Sequence, residues 1–224
     1  MSDSIAWNHV RGLTPLSLCD WPGHPCCVVF LGGCNLRCPT CHNGALAWSM
    51  ETLPVVERPA LRSFLARRAR WLAGITVSGG EPTTVPGVGA VLHELAKSGL
   101  PVKLDTNGML PEVVECMLAE GLVQRFAVDV KGPFAKYPAL TGGAVDEVAA
   151  RRNLSRIFAM AEKRPDAFFF RTTKVPLLDD ADIETVRDLL PPGFALTLQD
   201  YIPPRRPHAL ADSEARRTPG NLVH

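Results

Sequence analysis

The chain has 224 residues, of which 46% are hydrophobic and 21% are charged, and its formal net charge is +1. This composition excludes a disordered chain, and the near-zero charge gives no reason to expect a nucleic-acid partner or an anionic membrane surface. No run approaches the roughly 18 apolar residues of a membrane span, and residues 1–12 lack the apolar centre of a signal peptide, so we expect a cytoplasmic protein without a membrane partner.

Six short β-like runs alternate with helical patterns along the chain. The predicted strands cover residues 26–31, 74–78, 101–106, 125–130, 167–173 and 194–199. Apolar residues recur at helical spacing between them, in segments 61–72, 88–95 and 154–161. This alternation predicts βαβ units and a parallel sheet, and the right-handed crossover rule leaves a doubly wound open sheet or a partial barrel. Periodicity alone does not separate these two folds.

The two ends of the chain differ from this alternating body. We expect residues 1–24 to form an irregular N-terminal extension, residues 25–202 to form the core domain, and residues 203–224 to form a surface tail rich in Pro and Arg. In either candidate fold, chemistry gathers in the loops that follow the C-terminal ends of the strands.

Three of the seven cysteines lie within eight residues, directly after the first predicted strand. The sequence there is Cys34-Asn-Leu-Arg-Cys38-Pro-Thr-Cys41, and two glycines precede it. Thiols clustered in this way, without an export signal, indicate metal binding in a reducing compartment, and three local ligands would leave one metal position open. A zinc site with His42 as fourth ligand is the alternative. Of the other cysteines, we interpret Cys26, Cys27 and Cys116 as buried apolar residues and leave Cys19 open.

The cysteine spacing resembles the signature of the radical S-adenosylmethionine (SAM) superfamily. The second strand ends in Ser78-Gly79-Gly80-Glu81-Pro82, which is similar to the GGEP motif of that superfamily. Glycines at such a turn expose backbone groups, and Glu81 adds an acceptor suited to the ammonium group of SAM. The resemblance covers nearly the whole chain and implies a [4Fe–4S] cluster on Cys34, Cys38 and Cys41 in an α/β, partial (β/α)6 TIM-type barrel with parallel strands.

Later strand ends resemble those of glycyl-radical-enzyme activases. The third strand ends in Asp105-Thr106-Asn107, the fourth in Asp129-Val130-Lys131, and Arg171 lies on the fifth. The resemblance implies that these residues, with His42, contact SAM, and that the two aspartates approach its carboxylate through a monovalent cation. This chain lacks the eight extra cysteines that many activases carry, and it contains Trp21-Pro22-Gly23. In both respects it is similar to compact activators of anaerobic ribonucleotide reductase.

The activity that the resemblance implies is reductive cleavage of SAM to methionine and a 5′-deoxyadenosyl radical. In an activase this radical takes hydrogen from a glycine of a glycyl-radical enzyme, and a flavodoxin or ferredoxin serves as the low-potential electron donor. A gap beside six strands would admit the partner's loop. Two alternatives stay open: a small-molecule radical SAM enzyme, such as those that build the 7-deazaguanine ring, and a non-catalytic iron–sulfur protein.

Overall fold

The computed structural model describes residues 2–203, so the predicted Pro/Arg-rich tail lies outside the described residues beyond Pro203. The strands are β1 (Val10–Ser17), β2 (Cys26–Leu31), β3 (Gly74–Gly79), β4 (Val102–Thr106), β5 (Arg125–Asp129), β6 (Phe168–Lys174) and β7 (Leu196–Asp200). The helices are α1 (Ser2–Trp7), α2 (Gly44–Trp48), α3 (Arg58–Arg68), α4 (Val88–Ala96), α5 (Pro111–Ala119), α6 (Tyr137–Leu140), α7 (Glu147–Lys163) and α8 (Asp180–Leu189).

The strands form one seven-stranded sheet whose order is that of the chain, β1 to β7. Strands β2 to β7 pair in parallel, and β1 pairs with β2 antiparallel. Each of the six predicted strands is present, with its ends shifted by no more than two residues. In the described part of the chain β1 and β7 do not pair, so the barrel stays open. The predicted partial (β/α)6 barrel is confirmed, with one added antiparallel strand.

The expectation that residues 1–24 are irregular is wrong, because they contain α1 and β1. Strand β1 was missed because it carries Pro15 and shows no clean alternation of buried and exposed residues. Proline cannot donate to a sheet ladder, but it is tolerated on an edge strand such as β1. The turn after β1 brings Trp21 against β3, where a Cβ on Gly74 would lie 2.5 Å from the indole ring.

The two faces of the sheet are both covered, as its near-continuous apolar strands require. On β2, Cys27, Val29 and Leu31 belong to the large core shared with the helices, whereas Cys26 and Val28 pack with Trp21 inside the barrel. The interpretation of Cys26 and Cys27 as buried residues is confirmed.

The interpretation of Cys116 as a buried residue is wrong. It lies on α5, but its side chain is exposed, and its thiol donates to Glu120 Oε1 at 3.1 Å. A cysteine among apolar residues does not by itself indicate which face of a helix it occupies.

A buried carboxylate joins two helices on the outside of the sheet. Glu94 on α4 is 5% exposed and pairs with Arg62 and Arg58 of α3 and with Lys97, the last at 3.2 Å. The hydrogen bond from Arg62 is the main reason that the pKa of Glu94 lies well below its ordinary value. Burial acts in the opposite direction, and Arg58 and Lys97 lower the pKa further. The ion-pair cluster therefore stabilises the fold only while Glu94 is ionised.

Replacing Glu94 with Gln is expected to lower the free energy of unfolding by about 1 kcal/mol at pH 6, since its partners are partly exposed to solvent. The carboxyl titrates at about 4.3 in the unfolded chain, so this stabilisation is present above that pH and declines as the pH falls below it. Urea unfolding of both proteins at pH 6 and at acid pH measures the difference. A difference that stays constant across this range would show that the charge of Glu94 is not what stabilises the contact.

No helix among residues 2–203 is long and apolar enough to cross a membrane.

Candidate functional site

The C-terminal ends of β2 to β7 enclose a cavity of about 520 Å³. This volume lies in the ordinary range for a small-molecule site, about 300 to 1,000 Å³. Every residue that the sequence analysis placed at the cluster or at SAM lines this cavity, from Cys34 after β2 to Arg171 on β6. Gln199 near the end of β7 also lines it. The structure therefore brings all the predicted site residues together.

The three clustered cysteines lie on the loop that follows β2. Cys34, Cys38 and Cys41 are each half-buried and line the cavity. Burial raises the pKa of the Cys34 thiol to about 11 and raises the pKa of Cys38 as well, although the charge of Lys131 opposes the shift at Cys38. Because a metal ligand must be a thiolate, cluster binding here would release protons.

The GGEP turn packs directly against the cysteine loop. Gly80 N donates to Leu31 O at 2.9 Å, and Glu81 N donates to Gly33 O at 2.8 Å. A Cβ on Gly80 would lie 2.1 Å from Gly33 O, and one on Gly79, whose φ is +131°, would lie 2.2 Å from Leu31 O. Both positions require glycine because the two loops touch through their backbones.

Glu81 is buried behind this turn, with 1% of its surface exposed. Its Oε1 accepts from Thr83 N at 3.2 Å, from Thr83 Oγ1 at 2.5 Å and from Thr106 Oγ1 at 2.8 Å, and its Oε2 accepts from Asn107 N at 2.7 Å. Burial raises the pKa of Glu81, and these hydrogen bonds act in the opposite direction. The carboxylate thus joins the turn after β3 to the end of β4, in addition to lining the cavity.

Charged side chains from the ends of β4, β5 and β6 meet on the wall of the same cavity. Arg171 pairs with both aspartates: Nη2 lies 3.2 Å from Asp105 Oδ2, and Nε donates to Asp129 Oδ1. Lys131 Nζ donates to Asp129 Oδ2 at 3.1 Å, and Ser78 Oγ donates to Asp105 Oδ2 at 2.9 Å. Burial acts to raise the pKa of Asp129, but the charges of Arg171 and Lys131 outweigh it and hold that pKa below its ordinary value.

Asn107 and His42 also line the cavity. Asn107 Nδ2 donates to Asn35 Oδ1 at 2.8 Å, so the end of β4 is tied to the cysteine loop. The His42 ring meets Tyr201 edge-on with 5.5 Å between ring centroids. His42 is therefore close to the segment that follows β7.

Lys103 and Tyr201 are neighbours of the predicted site that the sequence analysis missed. Lys103 on β4 is fully buried and pairs with Asp105. Its position two residues before Asp105 places both side chains on one face of the strand, which could have indicated the contact. For Tyr201 the sequence carries no such signal, because Tyr201 follows β7 and His42 follows β2, the last and first strands of the parallel part of the sheet.

The donor set fits an iron–sulfur cluster with SAM beside it. Three thiols on one loop line a cavity that is also lined by the Gly79-Gly80 turn and by two cations, Lys131 and Arg171. Among residues 2–203, no three His, Cys, Asp or Glu side chains converge as the ligands of a metal ion would. The assignment of a cluster to these cysteines therefore rests on their common loop, their spacing and the cavity that they line.

Comparison with known proteins gives one family over most of the chain. The sequence model of the Radical SAM superfamily matches residues 28–190. A Methanocaldococcus jannaschii protein provisionally named a glycyl-radical enzyme activating enzyme is 34% identical over 199 residues, which cover 87% of this chain and 80% of that protein.

Two further proteins are similar to this chain, one over a shorter part of its sequence and one at lower sequence identity. The 7-carboxy-7-deazaguanine synthase of Haemophilus influenzae is 33% identical over 90 residues, or 39% of this chain and 38% of that enzyme. The solved structure of Streptococcus suis SuiB bound to its precursor peptide SuiA superposes with a TM-score of 0.60 at 14% identity, covering 78% of this chain and 39% of SuiB. The SuiB likeness supports the fold.

Proposed function

This chain belongs to the radical SAM superfamily, and on that premise we propose that it cleaves SAM reductively and installs a glycyl radical on a partner enzyme. When bound, a reduced cluster would supply the one electron that cleaves SAM into methionine and a 5′-deoxyadenosyl radical able to take a hydrogen atom from the substrate. The observation that carries the proposal is the meeting, in one cavity, of the three loop thiols with the paired charges of Asp105, Asp129 and Arg171.

The protein's own residues would hold and orient these groups. Cys34, Cys38 and Cys41 would ligate the cluster through their thiolates, which leaves one iron free of protein ligands. Two cationic side chains that line the same cavity, Lys131 and Arg171, are suited to pair with a carboxylate such as that of SAM. The surrounding wall would exclude water from the reactive species.

The choice of a protein partner is supported by sequence and by shape. The relative from M. jannaschii, whose name gives glycyl-radical enzyme activation as its role, matches this chain over 87% of its length. The barrel is open beside β7, and near this opening Leu198 is 37% exposed and Ile202 is 70% exposed. An open side with apolar residues suits the entry of a loop from another protein.

Electron paramagnetic resonance tests the proposal directly. The anaerobically reconstituted protein is mixed with SAM, dithionite and a candidate glycyl-radical enzyme, of which anaerobic ribonucleotide reductase is the first choice. The expected result is a glycine-centred doublet that is lost when the radical-bearing glycine of the partner is changed to Ala. The yield of 5′-deoxyadenosine measures SAM cleavage independently of the partner.

The second candidate is a radical SAM enzyme that acts on a small molecule. The local likeness to 7-carboxy-7-deazaguanine synthase favours it. SAM cleavage without a glycyl doublet for any candidate partner, together with turnover of a small substrate, would establish this alternative. If no 5′-deoxyadenosine formed at all, the third possibility, a non-catalytic iron–sulfur protein, would replace both.

A further inference from the structure

Lys103 is an ammonium group buried inside the barrel. Lys103 is 0% exposed and lies on β4, two residues before Asp105. The ammonium donates to Asp105 Oδ1, and on its other side the Phe169 ring centroid lies 5.7 Å from Nζ. A lysine is almost never fully buried unless it is paired, so its place beside Asp105 indicates a role for the charge.

Lys103 is the first member of a continuous row of alternating charges across three strands. The contacts run from Lys103 to Asp105, from Asp105 to Arg171, from Arg171 to Asp129, and from Asp129 to Lys131. Three cations and two carboxylates leave one positive charge in excess. The row lines the cavity from Asp105 to Lys131, so two of its cations, Arg171 and Lys131, face the proposed SAM site.

Both carboxylates of the row already have cationic partners. Asp105 uses Oδ1 for Lys103 and Oδ2 for Arg171 and Ser78. Asp129 uses Oδ1 for Arg171 and Oδ2 for Lys131. The family resemblance implies a monovalent ion between them, but such an ion would be repelled by the three cations that already pair with these carboxylates.

We propose that Lys103 is a built-in cation that takes the place of the monovalent ion at this site. Its ammonium is a compact point charge with three donors, which suits it to the position that a small ion would hold beside Asp105. The excess positive charge then pairs with the carboxylate of SAM. Lys103 acts as a positioning residue through Asp105, and this inference rests on the proposed function because it concerns SAM.

The first test uses the unaltered holoprotein and measures SAM binding by equilibrium dialysis. Binding is compared in potassium chloride, in sodium chloride and in tetramethylammonium chloride at equal ionic strength, because the organic cation is too large for a carboxylate site of this kind. We expect dissociation constants that agree within about twofold, well below the tenfold change that about 1.4 kcal/mol would produce. A tenfold or larger loss without K⁺ or Na⁺ would overturn the proposal, whereas no binding in any salt would overturn the proposed function itself.

The second test replaces Lys103 with Met, which retains the length of the side chain and removes its charge. In tetramethylammonium chloride this variant is expected to bind SAM about tenfold more weakly, a change of about 1.4 kcal/mol. Potassium is expected to restore binding and to raise the melting temperature of this variant alone, since Asp105 Oδ1, which has lost its ammonium partner, can now bind the ion. A merely structural role for Lys103 would not produce this rescue by salt.

The matched control is Lys136→Met, which removes another Lys–Asp pair. Lys136 Nζ lies 2.5 Å from Asp182 Oδ2, on α8, and does not line the cavity. The SAM affinity of Lys136→Met should equal that of the unaltered protein in every salt. If Lys103→Met does not fold, the double variant Lys103→Met/Asp105→Asn removes both charges and should bind SAM weakly without rescue by K⁺. Equal SAM affinity in the unaltered protein and in either Lys103 variant would overturn the proposal.

Discussion

Replacing any one of Cys34, Cys38 and Cys41 with Ala is expected to abolish the iron–sulfur cluster. All three thiols lie on one loop at the cavity, and a cubane cluster with one open iron needs a thiolate on each of the other three. Iron content after anaerobic reconstitution should fall from about four per chain to below about one, and the visible charge-transfer absorption should disappear. The folded structure should remain, because these side chains are only half-buried.

Cys19 and Cys116 provide the controls for this experiment. Both are exposed, and neither lines the cavity. Cys19→Ala and Cys116→Ala should retain full iron content and absorption. Loss of the cluster in Cys19→Ala, with retention in Cys41→Ala, would show that the ligand assignment is wrong.

Gly80→Ala is expected to destroy the site by forcing two loops apart. The new Cβ would lie 2.1 Å from Gly33 O and 2.8 Å from Gly33 C, and both of these neighbours are backbone atoms that cannot rotate away. Overpacking of this kind costs about 1–3 kcal/mol or more, so the midpoint of urea unfolding should fall clearly. Because Gly33 directly precedes Cys34, SAM-dependent formation of 5′-deoxyadenosine should fall at least about a hundredfold, which corresponds to about 2.7 kcal/mol.

Gly89→Ala is the matched control for Gly80→Ala. Gly89 lies within α4, and a Cβ there would meet nothing within 4 Å. Alanine stabilises a helix interior by about 0.5–1 kcal/mol relative to glycine, so this variant should be slightly more stable and equally active. If both variants behaved alike, the close contact between the GGEP turn and the cysteine loop would not be essential.

The sequence predicted the parallel part of the fold well, because buried parallel strands appear as short apolar runs. The run at residues 26–31 coincides with β2. Asp105 and Asp129, which were predicted near the ends of two later strands, lie at the ends of β4 and β5. Strand β1 was missed because an edge strand with Pro15 has neither an apolar run nor clear alternation. Segments such as α8 were not assigned in advance, although its capping box at Asp179 and Asp182 is a readable start signal.

The predicted site residues share one cavity because the C-terminal ends of parallel strands meet at one edge of a sheet. The contacts that these side chains make with one another could not be predicted from the sequence. Glu81 was expected only as an acceptor toward SAM, yet its carboxylate also joins β3 to β4 through Thr83, Thr106 and Asn107. Such contacts depend on the register between strands and on side-chain conformations, which no local pattern encodes. The same holds for the bridging position of Arg171 between two aspartates.

Every strand of the sheet lies beside the strands that precede and follow it in the chain. A growing polypeptide can therefore assemble this sheet in the order of its synthesis, since no early strand waits for a distant partner. The three cysteines of the proposed cluster leave the ribosome just after β2, long before Arg171 arrives on β6. Until the last βα units join, the thiols face solvent on an incomplete barrel. The interval between these two events is the time in which iron can be delivered to an open loop, and in which oxygen can reach it.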